Sequence, residues 1–170
     1  MAIREIVKWG DPRLLAPNAA VTSFDGDLAA FVRDLFDTCW AAPGYGLAAP
    51  QVGVNLRVAI VDVSVGHDPA QRIVLVNPRL AGSAGAVRDE EGCLSLPDLV
   101  DVVERPERIT VEAQDETGTL RRLEAEGLLA RAFCHEIDHL DAHLFVDRLS
   151  PLKRGLLLKK AEKLRRQGIW

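Results

Sequence analysis

His135-Glu136-Ile137-Asp138-His139 lies within a stretch that Gly127 precedes and that runs to about Leu140. The apolar positions Leu128, Ala132, Ile137 and Leu140 follow helical spacing, which predicts a helix buried on most sides. On such a helix His135 and His139 are i and i+4, so they share one face and both reach one divalent ion. Glu136 lies about 100° further round, beside the ion rather than on it. In this H-E-x-x-H arrangement the two His bind metal and the Glu moves protons. Upstream, Cys93 in Glu91-Gly-Cys-Leu-Ser95 offers a third ligand. Three protein ligands leave one tetrahedral position open for water, as catalytic rather than structural sites do. A structural zinc would want a fourth, and only Cys39, Cys134 and His143 are candidates.

Outward from that helix, residues 25–40 read as another. Leu28, Phe31, Val32, Leu35, Phe36 and Cys39 form its apolar stripe, Ser23 or Asp25 its N-cap, and Pro43-Gly44 its end. Residues 56–63, 72–77 and 109–113 are β-rich runs flanked by turn residues. Asp115-Glu-Thr-Gly118 turns into a further strand near 119–124, a hairpin. Residues 82–89 are small and polar and read as a loop. After Ser150-Pro151, residues 152–167 form a last helix. The order predicts α+β: a mainly antiparallel β-sheet packed around the central HExxH helix, with an N-terminal and a C-terminal helix.

The chain has 170 residues, 48% of them hydrophobic and 27% charged, which suits one globular domain over 1–170. Its apolar runs are too short to span a bilayer, and no signal-like segment opens it. Three cysteines, Cys39, Cys93 and Cys134, argue against a disulfide framework and for a reducing, cytoplasmic setting. Net charge is −4 but uneven. From Lys153 to Arg166 seven basic residues face one acid, Glu162, so that segment is +6 and the rest −10. Such a face is either solvated or a polyanion contact.

Three motifs occur in order: Gly44-Tyr-Gly-Leu-Ala-Ala-Pro-Gln51, Glu91-Gly-Cys-Leu-Ser95 and Cys134-His-Glu-Ile-Asp-His139. Together they resemble peptide deformylases, metallohydrolases that remove formyl from the N-terminal methionine of new bacterial proteins. The likeness runs nearly end to end, from Trp9-Gly-Asp-Pro-Arg13 to Leu140-Asp-Ala-His-Leu-Phe-Val-Asp147. It implies one Fe²⁺ per chain on Cys93, His135 and His139, with Zn²⁺, Ni²⁺ or Co²⁺ as substitutes. Thiolate and imidazole suit several of these ions, so the donor set alone does not choose. It further implies attack by metal-activated water on the formyl carbonyl, with Glu136 as general base and acid. Gln51 and the backbone N–H of Leu94 would stabilise the oxyanion. Gly44 and Gly46 let backbone approach the substrate closely. Tyr45, Leu128, Arg131 and Ala132 would wall the methionine pocket, with His135 at its floor. The implied partners are N-formylmethionyl nascent peptides; the charge of the basic C-terminal helix, where it is not simply solvated, adds the ribosome and its RNA. No membrane is implied, and the chain is expected to be a monomer.

The chain departs from the family pattern in places. Cys134 stands where Gln is common and Ala142 where Gly is frequent. Many relatives carry an Arg shortly after Leu96-Pro97; here there is none until Arg105, and Val100 lies in that stretch. Arg131 brings a long cation to the methionine pocket, its stem along an apolar wall and its head expected to reach water. Cys39 and Cys134 read as core, His143 as surface, and His67 is assigned nothing. Asp138 is expected to hydrogen-bond a neighbour of the metal site, of unspecified identity. Other readings of the same residues are a zinc peptidase, a different formamide hydrolase, and a metal-stabilised module that only binds peptide N-termini. The upstream Cys93 and the intact Glu136 and Gln51 favour the deformylase.

Overall fold

The computed structural model describes residues 2–170. Its first helix, α1 (Gly26–Ala41), starts at Asp25, whose carboxylate accepts from the backbone N–H groups of Asp27 and Leu28. That satisfies donors a helix start leaves free. β1 (Gly46–Ala48), β2 (Val58–Val61), β3 (Ile73–Ala84), β6 (Arg108–Gln114) and β7 (Leu120–Glu126) make one antiparallel sheet in the order β1-β2-β3-β6-β7. β4 (Val87–Cys93) and β5 (Leu96–Arg105) pair only with each other.

β2 reads Val-Ala-Ile-Val without alternation because both of its faces are covered. Val58 and Ile60 join the cluster under α1, with Leu35, Phe36 and Cys39. Ala59 and Val61 face the other way, toward α2 (Gly127–Leu140), with Leu75, Val111, Phe133 and Ile137. Six of the residues between sheet and α2 are alanines: Ala48, Ala59, Ala113, Ala125, Ala130 and Ala132. Short side chains let the helix lie close to the sheet, and this sets the height of the His-bearing turn.

A third cluster joins Leu96, Leu99 and Val103 of β5 to Leu144, Phe145 and Val146 and to Ala161 of α3 (Pro151–Arg166). Ser150 caps α3, accepting from the Lys153 N–H, with Pro151 at its first position. Asp115 closes the β6–β7 turn by accepting from the backbone of Thr117 and Thr119 and from the Arg121 guanidinium. Among the described residues, no helix is long and apolar enough to cross a membrane.

One expectation fails. Residues 82–89 are not a loop: β3 runs through Ala84, β4 starts at Val87, and only Gly85 and Ala86 lie between. Every residue from 79 to 90 is exposed, so neither face buries an apolar row and no period-2 signal exists to read. β1, β4 and β5 also gave no signal of their own.

Candidate active site

A cleft of about 570 Å³ opens between the Gly44–Gly46 segment, the β4–β5 hairpin and α2. Of the residues singled out in the sequence, Gly44, Tyr45, Gly46, Gln51, Cys93, Leu94, Leu128, Arg131, Ala132, His135 and Glu136 all line it. His139 lies fully buried beneath.

At the floor three donor atoms converge. Cys93 Sγ is 3.3 Å from His139 Nε2, which is 3.2 Å from His135 Nε2. Two nitrogens held tetrahedrally about 2.0–2.1 Å from one ion would lie roughly 3.3 Å apart, so the observed pair has the spacing of ligands around a cation. These three residues form a group that could hold a metal ion. His135 Nδ1 is 3.0 Å from Glu91 Oε2, so the tautomer with hydrogen on Nδ1 turns the Nε2 lone pair toward Cys93 and His139.

The local charges support that set. Burial alone would raise the Glu91 carboxyl, but hydrogen bonds from His135 and Arg105 override it and hold it at about 2. Burial likewise works against charge on both imidazoles. Cys93 and Glu91 nevertheless draw a proton onto His135, and burial and that cation together suppress one on His139. A divalent ion would replace this proton.

Glu136 is buried, with Oε2 lacking any protein hydrogen-bond partner. Burial pushes its carboxyl up to about 7; Glu91 and Asp138 add to the rise and His135 and Arg105 oppose it. A group poised near neutrality accepts and returns protons well. Gly46 leaves room for it: a Cβ there would lie 2.5 Å from Glu136 Oε1 and force that side chain to shift. A Cβ on Gly44 would lie 2.8 Å from Leu94 Cδ1. Gln51 is buried, and its Oε1 accepts from the Ala48 N–H at 3.0 Å. That fixes its flip, so Nε2 points to Ser95 Oγ at 3.3 Å and Cys93 Sγ at 3.5 Å. Leu94 lies in the turn between β4 and β5.

Arg131 corrects an expectation. Its head does not reach water: the buried guanidinium donates to Glu91 Oε1 and to the carbonyls of Val103 and Val87. Ionised Glu91 and two strand carbonyls outcompete solvent for it. Cys134 packs against the α2 core cluster, Cys39 is fully buried, and His143 is exposed, 3.7 Å from Asp147. Asp138 finds its partners in Arg105 and Arg148, each within 2.7 Å.

Glu91, Ser95 and Arg105 had no role in the sequence reading. For Glu91 a signal existed. It stands two residues before Cys93 on one strand, so the two share a face. Arg105 and Ser95 carried none, since each meets its partner only through the folded chain.

Residues 3–155 match the family model described as polypeptide deformylase. The chain is 47% identical over 170 residues to a peptide deformylase of Acidobacterium capsulatum, covering 100% of both chains. It superposes on the crystal structure of a peptide deformylase from Legionella pneumophila with a TM-score of 0.91 at 45% identity, covering 99% of this chain and 98% of that one. A peptide deformylase from Synechococcus elongatus, in complex with actinonin, matches with a TM-score of 0.87 at 40% identity over 92% and 86% of the two chains.

Proposed function

The chain belongs to the polypeptide deformylase family, metal-dependent hydrolases that remove the N-formyl group from nascent polypeptides, and from that premise we propose how its own residues divide the work. Cys93, His135 and His139 hold one divalent ion, Fe²⁺ in the native enzyme, with Zn²⁺, Ni²⁺ or Co²⁺ able to replace it. When bound, that ion supplies Lewis acidity, lowering the pKa of water and polarising a carbonyl oxygen.

In the hydrolysis, the water oxygen adds to the formyl carbon, the C–N bond breaks, and formate leaves with the free amine. Glu136 takes the water proton and returns it to the departing nitrogen. Its burial and its pKa near 7 support that role. Gln51 Nε2, aimed by the Ala48 N–H, and the Leu94 N–H donate to the developing oxyanion. Gly44 and Gly46, lacking Cβ atoms, let the backbone close up against Leu94 and Glu136, which suits a formyl carbon that carries hydrogen in place of a methyl group. Tyr45, Leu128 and Ala132 wall the methionine side chain. The Arg131 stem joins that wall while its head is engaged elsewhere. The observation that carries the reading is the convergence of three ligand atoms beside an unpartnered buried carboxyl at the floor of one cleft.

Formate release from formyl-Met-Ala-Ser by anaerobically purified, Fe²⁺-loaded protein tests it. Glu136→Gln is expected to keep metal and lose about 10²–10⁴-fold in turnover. Metal loss in that variant would reassign Glu136 as a ligand. For the basic face of α3 the reading is contact with ribosomal RNA. Removal of residues 151–170 should then weaken ribosome co-sedimentation most at low salt, and unchanged co-sedimentation there removes the idea.

A further inference from the structure

The two halves of the ligand set sit on separately paired parts of the fold. His135 and His139 belong to α2, which packs on the five-stranded sheet. Cys93 belongs to the β4–β5 hairpin, which shares no strand pairing with that sheet. Beyond the short connections at the hairpin's base and a backbone bond from Trp9 N–H to Ser95 O, side chains therefore set the separation of the three donors.

Arg131 is the side chain that spans this gap most fully. It lies i−4 from His135 and i−8 from His139, on the same helix face. Its guanidinium reaches both hairpin strands: Val87 O at 3.0 Å and Glu91 Oε1 at 3.2 Å on β4, and Val103 O at 3.0 Å on β5. Glu91 in turn contacts the ring of His135. A planar, always charged fork meets three separate acceptors at once, which a lysine ammonium at the end of a flexible stem does not reproduce. Arg105, on β5, supplies a parallel tie, from Glu91 to Asp138, but its head donates to no backbone carbonyl of β4.

We propose that Arg131 is a positioning residue for the metal centre: it locks the β4–β5 hairpin onto α2, sets the distance of Cys93 from His135 and His139, and so governs how long the site retains its cation. The proposal rests on the ligand assignment given above. It predicts that metal retention, before turnover, responds to this side chain.

The test uses Co²⁺ as probe in the full chain. A thiolate-to-cobalt charge-transfer band reports Cys93 ligation, and release into excess chelator is followed by its decay. Cys93→Ser serves first. A band persisting in that variant would sink the ligand assignment, and the proposal with it, before any Arg131 variant is compared. Arg131→Met is then expected to release Co²⁺ about 10- to 100-fold faster, the usual effect of losing a residue that orients a ligand. Arg131→Lys should fall between it and wild type. Arg121→Met, which breaks the pair between Arg121 on β7 and Asp115 in the β6–β7 turn, should release at the wild-type rate even though it also removes an ion pair. Folded Arg131→Met that releases Co²⁺ at the wild-type rate overturns the proposal. If Arg131→Met does not fold, Arg131→Lys decides, and release at the wild-type rate there overturns it equally.

Discussion

Helices α2 and α3 have similar lengths and both carry many polar side chains, yet they place them oppositely. α2 buries Arg131, Glu136, Asp138 and His139 among its apolar residues. α3 buries only Ala161 and leaves Lys153, Arg154, Lys159, Lys160, Lys163, Arg165 and Arg166 exposed. A buried charge without a partner is costly. Hence Arg131, Asp138 and His135 on α2 each have a fixed polar neighbour, and the exceptions, one oxygen of Glu136 and Nδ1 of His139, belong to residues at the floor of the cleft. The ion pairs of α3 stand in water, where each contributes little. Polar residues thus define geometry on one helix and solubility or attraction on the other.

Mutations should expose this contrast directly. The largest effect is expected for Asp138→Ala, which strips Arg105 and Arg148 of a shared carboxylate and leaves Arg105 buried with half its partners. A loss of about 3–5 kcal/mol in urea unfolding is expected; a loss below about 1 kcal/mol would place α2 in the same class as α3. On α3, Ser150→Ala removes the N-cap and should cost about 1 kcal/mol in the same assay.

Next comes the tie between Lys153 and Asp101, 2.9 Å apart. Its hydrogen bond from Lys153 leads the causes that hold the Asp101 carboxyl below its ordinary value of 3.8. A depressed folded-state pKa means the unfolded chain binds the proton first as pH falls. The contribution is therefore complete above about pH 4 and is lost as pH drops through the lowered folded value. Lys153→Met should cost at most about 1 kcal/mol at pH 7. The difference from wild type should shrink as pH falls below 4. A difference that grows in acid would break the assignment. The smallest effect is expected for Glu162→Ala, which removes pairs with Arg165 and Arg166 and should shift stability by no more than about 0.5 kcal/mol.

The same contrast explains what the sequence made legible. The i, i+4 pair His135 and His139, the cap at Asp25 and the turn at Asp115–Gly118 are local patterns, and local patterns survive in a linear reading. So were Cys93, the two His and Gln51 legible, through motifs. The bonds joining Glu91 to Arg105, Arg131 and His135 were not. Their partners are 14, 40 and 44 positions away, and nothing in a run such as Val102-Val103-Glu104-Arg105 announces a buried arginine. Arg131 was read by its usual habit of reaching water, which holds on a surface and fails next to an ionised, buried acceptor. The exposed strands around Gly85 were missed for the opposite reason: nothing in them is buried.

The pairing of β3 with β6 joins Ala84 to Arg108 and Ser83 to Ile109, and the whole β4–β5 hairpin lies between those partners in the chain. The hairpin is thus an excursion inside another hairpin. This arrangement bears on the order of folding. A hairpin with a two-residue connection forms in microseconds, and once β4 and β5 have zipped, their far ends bring Ala84 and Arg108 together. Closing the long loop is then already half accomplished, because the entropy of joining distant segments falls with the length of free chain between them. The excursion that carries Cys93 to the cleft would in this way also nucleate the central sheet.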